Sequence, residues 1–207
     1  MGSGRQALIV AIVILLGAIG LVLWTMRDRG PITAGFWFDD IDPAATSEFA
    51  GRLGGPLTRG DIARIESLAR DELHAAFASF CLPISASPTA MYGVRVHQEL
   101  KGLIVGGSRS VPGLFGHGDV SFGALASNAV AFAPANADRD AIIQAIGRGI
   151  GRTAAHELAH QVLGAMDIHS KRDRRSYEYP DVRPEHFYGP PHWTVAEAPM
   201  RARLGRC

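Results

Sequence analysis

The chain has only two cysteines, Cys81 and Cys207, among its 207 residues. That excludes a disulfide-rich scaffold and any four-cysteine zinc site, and leaves room for at most one internal bridge. A charge imbalance is missing too. Lys+Arg total 21 against Asp+Glu 20, which excludes the strongly basic field that recruits nucleic acid, so no nucleic-acid partner is expected. The chain is not polar enough for a disordered protein, since 47% of it is hydrophobic. No internal repeat is found. What remains is a globular domain of ordinary size with an appendage.

The appendage is the one long apolar run. Ala7 to Trp24 are 18 consecutive residues without a charge, about 27 Å as a helix and close to the hydrocarbon thickness of a bilayer. A secretory signal has a shorter apolar core and a small-x-small cleavage site, and Trp24-Thr25-Met26-Arg27 offers none. The pattern predicts a short cytoplasmic N-terminus over 1–6 and a transmembrane signal anchor over 7–26. The protein is then expected at the cell membrane as a single-pass chain, its soluble part periplasmic or extracellular.

Beyond the run, Gly30-Pro31, Asp42-Pro43 and Gly54-Gly55-Pro56 carry turn chemistry that predicts a linker and irregular lead-in over 27–57. A domain over 58–207 follows. Thr58 stands three residues before Asp61, and Ile62, Ile65, Ala69, Leu73, Ala76, Phe77 and Phe80 recur at helical spacing, predicting an amphipathic helix over 59–80. Tyr92, Val94 and Val96 alternate with polar or small residues and predict a strand. Seven glycines between Gly102 and Gly123 point to a surface loop or to tight turns between short strands. Ala129–Pro134, AVAFAP, has strand length. Residues 137–163 read as a long helix, with a kink expected where Gly147, Gly149 and Gly151 interrupt it. A short helix is expected from Trp193 or Thr194. Strands interleaved with helices predict an α+β domain.

Residues 156–160 read His-Glu-Leu-Ala-His. On a helix, positions i and i+4 project from one face, so His156 and His160 can chelate one ion without moving the backbone. Glu157 can then reach a water at the metal without being a ligand, the logic of the zinc-hydrolase motif. Two imidazoles suit Zn2+ best among divalent metals. Five of the eight histidines (His156, His160, His169, His186 and His192) lie in the last 52 residues.

The segment RTAAHELAHQVLGAMDIHS, residues 152–170, resembles the active-site helix of zinc metallopeptidases. The likeness is to the metzincin-like zincins, in which a glycine ends the helix and a third ligand follows, as in HExxHxxGxxH. Here Gly164 comes one residue later than in that pattern, and no histidine stands three after it. Three residues therefore compete for third ligand: His169, which precedes Ser170; Asp167 as its alternative, three after Gly164; and Glu178, 18 after His160. The resemblance implies a zincin-like domain with a small mixed sheet and an active-site helix, Zn2+ as cofactor and a peptide or protein as substrate. Glu157 would be the general base. An extended substrate would add to an edge strand, expected at Ala129–Pro134. Tyr177, Tyr179, His186 and Tyr188 are candidates for oxyanion stabilisation or for aromatic packing, and Met200 or Met166 for a methionine turn. The alternative reading is an inactive metal-binding or interaction module on the same scaffold.

Overall fold

Alternation of Tyr92, Val94 and Val96 with Gly93, Arg95 and His97 builds a strand whose first set is buried and whose second faces away. The computed structural model describes residues 12, 14–17, 32–100, 105–111, 115–164 and 168–207. It divides the chain into two units, Met1–Ile32 and Thr33–Cys207. The second unit is α+β. Its five strands are β1 (Ala34–Phe38), β2 (Ile84–Ser85), β3 (Tyr92–His97), β4 (Gly106–Val111) and β5 (Phe115–Ser121), in the order β2-β1-β3-β5-β4. All pair in parallel except β4, which runs antiparallel to β5 at the edge. The sheet is therefore mixed. A 3₁₀ turn (Pro43–Phe49) and six α-helices accompany it among the described residues: α1 (Ala50–Leu53), α2 (Arg59–Phe77), α3 (Phe122–Ala131), α4 (Arg139–Leu163), α5 (Pro184–Tyr188) and α6 (Glu197–Leu204).

No helix among the described residues is long and apolar enough to cross a membrane. That finding overturns the transmembrane anchor expected over 7–26 and the single-pass cell-membrane placement drawn from it. A span needs about 20 apolar residues in one helix, whereas helix is described in that run only at Ile12 and over 14–17. The other residues of the run lie outside the described part of the chain.

Local rules account for the helix ends. Thr58 and Asp61 form a reciprocal capping box at the start of α2. Arg139 ties that corner to α4: it donates to the Leu53 carbonyl at 2.8 Å and to Asp61 at 2.8 Å. Asp138 caps α4 by accepting the Ala141 N–H at 2.8 Å. Pro199 is accommodated in the first turn of α6, where its missing N–H would have had no helical partner.

Three expectations change, and a fourth is decided between its two alternatives. The lead-in over 27–57 contains β1, which pairs with both β2 and β3, because the five residues Ala-Gly-Phe-Trp-Phe are an apolar strand short enough to hide among turn signals. Of the two alternatives for the glycine-rich stretch, short strands are found: its described residues 106–111 and 115–121 form the β4–β5 pair. Ala129–Pro134 is no strand: Ala129 to Ala131 end α3, with Ser121 as its N-cap and Phe122, Leu125, Ala126 and Ala129 buried at helical spacing. An apolar run of six residues does not distinguish the two periods by itself. Finally, α4 runs unbroken for 25 residues. Its glycines serve contact rather than kinking. A Cβ at Gly151 would stand 2.5 Å from the Ala69 carbonyl oxygen, one at Gly147 would stand 2.5 Å from Leu68 Cβ, and one at Gly149 would strike the Phe187 ring. The missing side chains let α2 and α5 approach α4 closely, at a propensity cost of about 1 kcal/mol per glycine.

The helix is seated on the sheet in the same way. Gln161, with 0% exposure, accepts the Gly93 N–H at 3.0 Å and donates to the Gly93 carbonyl at 3.0 Å. Gly116 leaves room for its side chain. At the far end of the unit, Cys81 and Cys207 form a disulfide across 126 residues of sequence. Trp193 donates its indole N–H to the Ala76 carbonyl at 2.7 Å, and its ring packs on Phe77, Phe80 and Tyr177.

Candidate functional site

His156, Glu157 and His160 lie on α4 within two turns, so their mutual placement follows from helix geometry alone. Gly164 ends the helix in the left-handed conformation, φ 60°, with its N–H on the His160 carbonyl at 2.8 Å. His169 stands beside the two helical histidines. The three Nε2 atoms stand 3.1 Å (His156–His160), 3.2 Å (His156–His169) and 3.3 Å (His160–His169) apart. Two imidazole nitrogens at 2.0–2.1 Å from one ion with tetrahedral angles would be about 3.3 Å apart. The triangle therefore has the dimensions of a three-histidine metal site.

His156 is oriented from behind. Its Nδ1 lies 2.7 Å from the Tyr177 carbonyl, so Nδ1 carries the proton and the Nε2 lone pair faces the other two rings. Burial, with the neighbouring His160 charge second, pushes its pKa down to about 3. That keeps the ring neutral, the form that ligates a metal.

Glu157 is 5% exposed and lies on the sheet side of the same cleft. Burial raises its pKa to about 7, against the lowering effect of a hydrogen bond from Ser108; the Asp119 charge adds to the rise. Gly106 makes room for it: a Cβ there would come within 2.9 Å of Glu157 Oε1. The cleft measures about 630 Å³ and is lined by all three histidines, Glu157, the edge strand from Gly106 to Ser110, Tyr177, and Tyr179 to Val182.

The other candidates separate clearly. Asp167 and Met166 lie outside the described residues. Glu178 is turned away from the triangle and accepts backbone N–H groups of Thr194 and Ala196. Tyr177 stacks on Trp193 with its hydroxyl 3.4 Å from Glu72, and burial raises its pKa. Tyr188 donates to the Ala129 carbonyl at 2.8 Å. Tyr179 lines the cleft. Met200 is buried on α6. His186 edges into the cleft, with Nε2 3.0 Å from the Gly149 carbonyl and 3.1 Å from Thr153 Oγ1.

Several residues at the site carry no sequence signal that picks them out. Ser108 sits in a Gly-Gly-Ser-Arg-Ser stretch without apolar alternation. Arg152, 3% exposed, ion-pairs with Glu72 at 2.9 Å and donates to the carbonyls of Glu185 and His186, tying α4 to the segment that carries His186. Gln161 differs only in following the motif directly.

No family model, no characterised protein and no solved structure matches this chain.

Proposed function

We propose that the domain is a zinc-dependent hydrolase of peptide bonds, with His156, His160 and His169 as metal ligands and Glu157 as general base. The observation that carries this reading is the triangle of three Nε2 atoms beside a buried glutamate in one cleft. When bound, zinc supplies Lewis acidity that makes water a competent nucleophile near neutral pH.

The chain's own groups supply the rest. Glu157, with its pKa lifted to about 7, is matched to accept a proton from the attacking water and to return it to the departing amine. Ser108 holds its carboxyl group by a hydrogen bond. Among the described residues strand β4 pairs with β5 alone and is the sheet edge lining the cleft. An extended peptide can add to its outer side by backbone hydrogen bonds, the scissile carbonyl then lying near Glu157. The substrate-binding strand is thus β4 rather than Ala129–Pro134.

Metal analysis and peptide hydrolysis by the full-length chain test the reading. One zinc per chain is expected, lost in His156→Ala and weakened in His169→Ala. Glu157→Gln should retain zinc and lose at least about 10²-fold in hydrolysis. Zinc with no hydrolysis of any library peptide by the wild type would replace the proposal with a metal-binding module. No zinc in the folded wild type would end it.

A further inference from the structure

Glu178 is fully buried, with 0% exposure, yet among the described residues its carboxylate is held by dipoles rather than by a counter-ion. Oε1 accepts the backbone N–H groups of Thr194 and Ala196, both at 2.8 Å. Oε2 accepts the hydroxyls of Ser176 and, at 3.1 Å, of Thr194. Ser176 Oγ also accepts the N–H of Glu178 itself at 3.0 Å. Four donors, two of them backbone groups leading into α6, offset the desolvation of a buried anion.

The main chain at this point holds the histidine triangle. The Tyr177 carbonyl accepts His156 Nδ1–H at 2.7 Å. One residue on, the Glu178 carbonyl accepts the Ser170 N–H at 3.0 Å, and Ser170 directly follows His169. The Tyr177 N–H is itself tied to the His192 carbonyl at 3.1 Å. A single side chain therefore fixes both the acceptor that orients one histidine and the acceptor that anchors the segment bearing another.

We infer that Glu178 is the positioning residue of the histidine triangle: by clamping residues 176–178 to the segment 194–196, its carboxylate sets the spacing of His156 and His169, and with it metal affinity. This rests on the metal-binding reading proposed above. It also assigns Glu178 a role behind the ligands rather than among them.

Zinc affinity of the full-length chain, measured by competition with a chromophoric chelator, tests the inference. The visible spectrum of the cobalt-loaded protein and urea unfolding of the metal-free form are recorded beside it. Glu178→Gln keeps the shape and removes the charge. Its zinc affinity is expected to fall about 10–100-fold, the range for lost outer-shell partners. The cobalt spectrum should change while the metal-free protein still unfolds in one transition. Thr194→Val removes one hydroxyl donor, keeps the backbone N–H, and should weaken zinc in the same direction by less. Wild-type zinc affinity and cobalt spectrum in folded Glu178→Gln, with only stability reduced, would overturn the positioning role and leave the proposed function intact. If Glu178→Gln does not fold, wild-type affinity in Thr194→Val overturns it. A wild-type chain that binds no zinc removes both readings together.

Discussion

At the scale of single residues, neighbours matter more than identity. His186 shows this. Its ring is enclosed beside Gly149, Thr153 and the buried Arg152, and burial first, with the Arg152 charge second, pushes its pKa down to about 4. An unfolded histidine titrates near about 6.5. The folded value lies below it, so the neutral ring stabilises the fold in full above about pH 6.5, and that contribution is lost as pH falls from there through about 4. Urea unfolding at pH 7 and pH 4.5 should show the wild type losing about 2 kcal/mol more than His186→Gln, which keeps a donor for the Gly149 carbonyl. Equal losses would mean that the ring is already charged in the fold.

The same scale shows how much of the site could be read from the chain. His156, Glu157 and His160 declare themselves because their relation is one helical turn, set by the backbone within five residues. Glu178 does not. A glutamate 18 residues past a histidine pair has the same spelling whether it faces a metal or the N–H groups of Thr194 and Ala196, and only the position of α6 decides which.

Among the elements, α4 carries the sharpest conflict between local and tertiary preference. Helix propensity alone predicts that Gly151→Ala stabilises the protein by about 1 kcal/mol. Contact predicts the opposite, because the new Cβ would meet the Ala69 carbonyl oxygen at 2.5 Å, and a backbone atom of a packed helix cannot swing aside. Overpacking of this kind costs about 1–3 kcal/mol, so the net effect expected in thermal or urea unfolding is destabilisation. A more stable Gly151→Ala would show that α2 and α4 separate easily. The glycines of 147–151 thus read correctly as weak helix formers but not as a kink, since α2 and α5, which they admit, are distant in sequence. For a related reason the sequence left the Gly106–Ser110 edge open between a loop and short strands. A strand built from glycine and serine has no apolar alternation, and it is a strand because β5 pairs with it.

Over the whole unit, the C-terminal segment is stapled as well as packed. The Cys81–Cys207 disulfide closes a loop of 126 residues, and a cross-link of that span stabilises a fold by up to about 5 kcal/mol through the entropy of the unfolded chain. Replacing both cysteines by serine should lower the unfolding free energy by a large part of that figure, measured in urea without reductant. Adding reductant to the wild type should give the same curve. An unchanged midpoint would mean that Trp193, lodged among Phe77, Phe80 and Tyr177, holds the segment unaided.

What the sequence determined by itself is what helical geometry and capping dictate over short distances: α2 from its capping box, the core strand β3 from its alternation, and two histidines with a glutamate on one helix. The tertiary structure decided everything that depends on residues far apart in the chain. It brought His169 to the helical pair, placed β4 along the cleft, turned Glu178 toward α6, and joined Cys81 to Cys207. These outcomes rest on pairing and packing between separate segments, from 9 residues apart for His160 and His169 to 126 for Cys81 and Cys207, and no local period or spacing encodes which segments will meet.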